Sequence, residues 1–200
     1  MEQIFITQKF SLVPLFADNG HGEETHCSND DMRDILSKFY TINKDDEICS
    51  IPVFNSKALL LYAKPIDIQT NEDKAIALPL AAKLIERIKY IPDHNKIIIH
   101  ISRDNNTTIH DKDDSQILFH LAMQEGNKFL MINTFKITKF ETALYYLLLA
   151  MKNAQLNTTQ TGILSMSSLE DFEKKLLLRY FKYVEIEDIE SNNNINIFHY

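Results

Sequence analysis

Two imidazoles, two carboxylates and a thiol fall together in His21-Gly22-Glu23-Glu24-Thr25-His26-Cys27, and these are the residue types that hold a divalent metal. The spacing is not the His-Glu-x-x-His of a helical zinc site, and no helix register brings His21 and His26 to one face. A solvated loop is therefore the expectation. His100, His110 and His120 recur at intervals of ten along successive strands, where an imidazole serves as a general base only if a nucleophile stands beside it. None pairs with them, which makes them solvent-facing strand positions. Asp111, Asp113 and Asp114 form an acidic turn that lacks both the glycine and the distal bidentate glutamate of a calcium loop. Tyr145-Tyr146 suits either the wall of a peptide groove or burial with one hydroxyl satisfied. Cys27 and Cys49 have no CxxC spacing and read as reduced structural thiols. No catalytic, cofactor-binding or metal residue is assigned.

The elements around these residues are organised by the stretch Lys128 to Asn157. Phe129-Leu130-Met131-Ile132 is a consecutive apolar run, the pattern of a central strand covered on both faces, and Phe135 and Ile137 return to alternation. Thr138 with Glu141 three residues on is a capping box, which starts a helix there. Phe140, Leu144, Leu147, Leu148, Met151 and Ala154 then recur at three- and four-residue steps and make one inward stripe.

Composition narrows the classes. The 200 residues carry 21 Lys plus Arg against 28 Asp plus Glu, a net charge of −7 with the signs interspersed, so there is no basic stripe for nucleic acid. The longest wholly apolar run, Ala143 to Met151, is about half the length a bilayer requires, and Met1-Glu2-Gln3 is no secretory leader. A soluble cytoplasmic chain is expected. The four glycines, Gly20, Gly22, Gly126 and Gly162, are not spaced as a phosphate-cradling loop needs.

Taken in order, Ile4 to Val13 reads as one strand ended by Pro14. Ser28 to Asp31 starts a helix with Met32, Ile35, Leu36, Phe39 and Tyr40 facing inward. Ile48 to Phe54 and Ala58 to Ala63 form a hairpin at Asn55-Ser56. A helix with Pro79 in its first turn follows, then a central strand from Lys96 to Ser102. The charged connection Asp111 to Asp114 marks a boundary: 1–110 is a first lobe and 111–190 a second, with 191–200 a tail or edge strand. The second lobe holds a hairpin from Ile117 to Ile132, a strand at Gly162 to Met166, a capping box at Ser167 with Glu170, and a closing strand at Val184 to Ile186.

The order of elements in the second half resembles a ribonuclease-H-like lobe, the repeating unit of the actin, sugar-kinase and heat-shock-chaperone superfamily. Phe10-Ser11-Leu12-Val13-Pro14 with Phe16, Asn133-Thr134-Phe135, Glu141, Tyr145-Tyr146-Leu147 and Gly162 are similar to the signature of an uncharacterised bacterial family with an actin-like ATPase fold. The resemblance implies an α/β protein of two such lobes, mixed central sheets flanked by helices, with the first lobe lacking its N-terminal hairpin. It also implies where nucleotide elements should stand. Asp114-Ser115-Gln116 occupies the place of an Asp-x-Gly phosphate loop, with Gln116 for the glycine, and Met166-Ser167-Ser168 occupies that of paired glycines around adenosine.

These departures point to a non-catalytic, actin-like interaction or scaffold module without a cofactor. Its partner is a protein, which includes a second copy of itself, and neither nucleic acid nor membrane. The alternative is an ATPase or phosphotransferase of the same superfamily, with ATP and Mg²⁺ held by divergent motifs.

Overall fold

The computed structural model describes residues 2–14, 28–54, 57–64, 77–103, 116–189 and 195–199. The chain parts into two compact units, Met1–Lys83 with Asn196–Tyr200, and Leu84–Ile195.

In the first unit the expected single strand is two, β1 (Glu2–Ile6) and β2 (Phe10–Pro14). The backbone breaks because Lys9 N–H donates to Thr7 Oγ1 at 3.1 Å and Phe10 N–H to the Gln8 carbonyl at 3.1 Å, a local turn that takes both groups out of a ladder. β2 then lies at the edge of an antiparallel sheet with β3 (Glu47–Val53) and β4 (Ala58–Lys64), in the order β2-β4-β3. Pro14 and Pro52 both fall on edge strands, where a missing N–H costs no pairing. Helix α1 (Asn29–Ser37) opens on the expected capping box: Asp31 N–H donates to Ser28 Oγ and Ser28 N–H to Asp31 Oδ2, each at 3.2 Å. Its Met32 and Leu36 pack on Leu61 of β4.

A second sheet of the unit sets β1 parallel to β5 (Ala77–Pro79), with a strand from the far end of the chain (Ile195–His199) along the other side of β1. Pro79 ends β5 instead of opening the helix, so α2 (Leu80–Ile88) begins one residue later.

The second unit is built on five strands. β6 (Asn95–Arg103), β7 (Ile117–Glu125) and β8 (Lys128–Ile137) run antiparallel, and β9 (Ile163–Ser165) and β10 (Val184–Ile186) continue parallel to β6. The order is β10-β9-β6-β7-β8. This corrects the boundary drawn at residue 110. β6 pairs with β7 along its full length, so the charged connection joins two neighbouring strands of one sheet and does not separate lobes.

β6, with its three isoleucines, is the middle strand as expected. The Phe129–Ile132 run is not central: among the described residues β8 is the last strand of its sheet, and the four side chains of the run are half-buried. Helix α3 (Phe140–Asn153) and helix α4 (Asp171–Leu177) cover one face of the sheet. There Phe140, Leu144, Leu147 and Met151 meet Ile97, Ile99, Ile101, Phe119 and Leu121, while Leu177 and Phe181 close the core beside them. Each such side chain contributes about 1.5–3 kcal/mol by leaving water.

Candidate functional site

A groove of about 780 Å³ lies where the β8 edge meets α3. β8 supplies Phe129, Leu130, Met131 and Phe135, and α3 supplies Tyr146, Leu149 and Ala150. The Phe135 and Tyr146 rings stack at 4.6 Å with only 10° between their planes, a contact that adds to the stabilisation from the area they bury. Tyr145, 61% exposed, sits edge-on to Tyr146 at 5.7 Å and carries the aromatic surface out of the groove to solvent. Of the two readings left open for the tyrosine pair, half-buried Tyr146 takes the groove wall and Tyr145 its rim.

Two backbone irregularities shape this groove. Leu130 is an extra residue in β8, since Met123 pairs with Met131 and Gln124 with Phe129, and such a bulge twists an edge strand. At the other end Gln155, at φ 59°, takes the left-handed position after α3. Leu156 N–H donates to the Met151 carbonyl at 2.9 Å and Gln155 N–H to that of Lys152 at 3.1 Å, the pair of bonds that closes a helix C-terminus.

A second cavity of about 400 Å³ lies at the starts of α3 and α4, lined by Arg103, Lys139, Glu141, Glu170 and Glu173 among others. Two cations face three carboxylates, so it does not attract an anion. Glu173 is buried, receives Glu170 N–H at 2.9 Å, and accepts Arg103 Nη2 on both oxygens. The expected caps differ here. Thr138 does not cap α3, whose N-cap is Lys139 without a side-chain bond. The box of α4 is Glu170 with Glu173, and not Ser167 with Glu170. Ser167 is engaged elsewhere: its Oγ accepts Ile101 N–H at 2.8 Å, and Ser165 Oγ donates to its carbonyl at 2.8 Å. The Ser167 side chain of the Met166-Ser167-Ser168 turn thus binds the protein's own β6.

The sequence candidates are placed as follows. His21, Glu23, Glu24, His26, Cys27, His110, Asp111, Asp113 and Asp114 lie outside the described residues. Among the described residues no cluster of three or more His, Cys, Asp or Glu has metal-binding geometry. His100 and His120 are directly opposite on β6 and β7, with rings 5.6 Å apart, and His120 Nδ1 shares a 2.8 Å hydrogen bond with Thr134 Oγ1 on β8. They are buried, against the solvent-facing expectation. Cys49 faces Tyr62 across β3 and β4. Burial, then the Glu47 charge, pushes its thiol up, and burial pushes the Tyr62 phenol up, so neither is an activated nucleophile. The groove itself was invisible in the sequence beyond the exposed half of the tyrosine pair.

Both described glycines have structural tasks. Gly126 (φ 53°) turns the β7–β8 hairpin beside His94, and a methyl group on Gly162 would fall within the Tyr183 ring. No helix among the described residues is long and apolar enough to cross a membrane.

No curated protein matches this chain. A crystal structure from Bacteroides thetaiotaomicron VPI-5482, described as a protein with actin-like ATPase fold and unknown function, shares its fold with a TM-score of 0.66 at 16% identity, over 96% of this chain and 69% of that one. The sequence model of one family matches residues 30–186, most of the length described above, and the chain belongs to that family, protein of unknown function (DUF3822).

Proposed function

We propose that this protein is a non-catalytic actin-like interaction or scaffold module, and that its two units are lobes of that superfamily. The strand order β8-β7-β6-β9-β10 supports a ribonuclease-H-like reading of the second unit, as third, second, first, fourth and fifth strands. The observation that carries the function is the aromatic groove between β8 and α3, whose rim at Tyr145 and Leu149 is exposed. A stacked aromatic wall continuing onto exposed surface fits a protein partner better than a small polar substrate. The engaged Ser167 of the Met166-Ser167-Ser168 turn adds support, since that turn is where an adenosine would have to be received. The reading includes a cytoplasmic bacterial setting and no nucleotide.

Two measurements test it. A ligand at one-hundredfold its Kd stabilises a fold by about 2.7 kcal/mol, which raises the melting midpoint of a chain this size by roughly 5–10 °C. Heating with and without millimolar Mg-ATP should give one midpoint, and an upward shift of that size overturns the proposal. A photo-crosslinking residue at Tyr145 should capture a discrete protein in cells, while one at exposed Lys57 should not. No discrete adduct from Tyr145 also overturns it.

A further inference from the structure

β8 is ten residues long and is the last strand of its sheet among the described residues, whereas the opposite edge, β10, has three. A long edge offers a row of backbone donors and acceptors to any extended segment, and most proteins blunt such edges. Here the blunting is partial. The bulge at Leu130 twists one end, and the exposed side chains of the strand include Lys128 and Lys136, followed by exposed Lys139. The strand KFLMINTFKI carries no carboxylate. Lys128 has Glu125 opposite it across the hairpin, but Lys136 is opposite Leu118. On a chain of net charge −7 this edge is locally basic.

Resting on the interaction-module reading above, we infer that β8 takes up, as an added strand, an extended acidic segment of a partner protein. The groove gives the added strand a place for its side chains. A sixth strand would lie about 4.8 Å beyond β8, and its alternate side chains would point to the helix-bearing face. On that face, beside β8, is the cavity walled by Leu130, Met131, Phe135, Tyr146 and Leu149. Apolar residues at every second position fill it, and the intervening positions carry Asp or Glu toward Lys136. A second copy of β8 is a poor occupant. A copy of the same strand brings two lysines and no carboxylate to an edge that already carries Lys128 and Lys136, so it offers no charge complementarity, whereas an acidic segment does.

The probe is a fluorescent ten-residue peptide alternating valine and glutamate, compared by anisotropy at low ionic strength with its valine–lysine counterpart. The glutamate peptide should bind roughly tenfold more tightly, and Lys136→Glu should reverse the order. Lys136 is exposed, so the melting midpoint of that variant stays near the parent's; Lys139→Glu serves as a second variant and should weaken the same peptide. Strand addition uses only alternate N–H groups of the peptide. Of two glutamate peptides N-methylated in the two alternate frames, one should bind like the unmodified peptide and the other should lose about tenfold. Equal affinity of the valine–glutamate and valine–lysine peptides, equal behaviour of both N-methyl frames, or self-association of the protein through β8 overturns the inference. A discrete Tyr145 adduct combined with any of these outcomes sinks strand addition alone and leaves the module reading standing.

Discussion

Arg103 Nη2 stands 2.6 and 2.7 Å from the two carboxylate oxygens of Glu173, so a single nitrogen at the end of β6 holds the first turn of α4. The two partners are unequally placed, with the Glu173 side chain 2% exposed and that of Arg103 30%. Deleting the arginine strands a buried carboxylate, whereas deleting the carboxylate leaves a guanidinium that turns to water. Arg103→Met should therefore cost about 2 kcal/mol and Glu173→Gln about 1, discounted for the arginine's exposure. Denaturant midpoints check the order, and equal losses would contradict it.

Asp46 ties the loop before β3 to the start of β2. Lys9 Nζ donates to its Oδ2 at 2.8 Å and Asn43 N–H at 3.0 Å, while Arg33 reaches the carbonyls of Asn43 and Asp46. Burial opposes the Asp46 charge, but the hydrogen bond from Lys9, the Asn43 N–H and the lysine's charge together hold the carboxyl below its ordinary 3.8. A depressed carboxyl stabilises the fold above its unfolded value and loses that contribution as pH falls below about 3.8 through the folded value. Urea midpoints from about pH 5 to about pH 2 should fall less steeply in Asp46→Asn than in the parent. Parallel curves would remove this carboxylate from the acid limb.

Gly162 lies under the Tyr183 ring, whose hydroxyl donates to Asp93. A side chain at 162 must displace the ring, so Gly162→Ala should cost roughly 1–3 kcal/mol as an overpacked core does. In a Tyr183→Ala background the same change should cost less than about 1 kcal/mol, which a double-mutant cycle by thermal unfolding reads directly.

Gln155 occupies a backbone region that L side chains enter at a cost of about 1–2 kcal/mol. Glycine removes that cost but gives the unfolded chain more freedom, so Gln155→Gly should stabilise by about 0.5–1 kcal/mol net. A loss of stability would mean that the Gln155 side chain holds the end of α3 by contacts of its own.

Most elements of the second unit could be read from periodicity, since the isoleucines of β6 and the stripe of α3 report burial directly. Strand neighbours could not. Phe129–Ile132 has the apolar run of a middle strand because α3 and the groove cover it in part, and partial cover by a helix leaves the same residue pattern as cover by strands. The capping boxes were ambiguous for a similar reason. Ser167, Glu170 and Glu173 fall at steps of three, and the choice is made by Ile101, 66 residues from the serine it binds, and Arg103, 70 from Glu173. The buried pair His100 and His120 looked like solvated positions because sequence gives no register between strands. Of the candidate site only Tyr145-Tyr146 was legible; the groove depends on a bulge and a left-handed residue that composition does not announce.

β1 has the opening residues of the chain on one side of a ladder whose other member is Ile195–His199. During synthesis, that flank of β1 waits until the chain has been made as far as Ile195–His199. The second unit, whose pairings all fall within Leu84–Ile195, needs no such wait. β1, made before any strand of the second unit, is thus flanked after all of them and is exposed to stray pairing in the meantime.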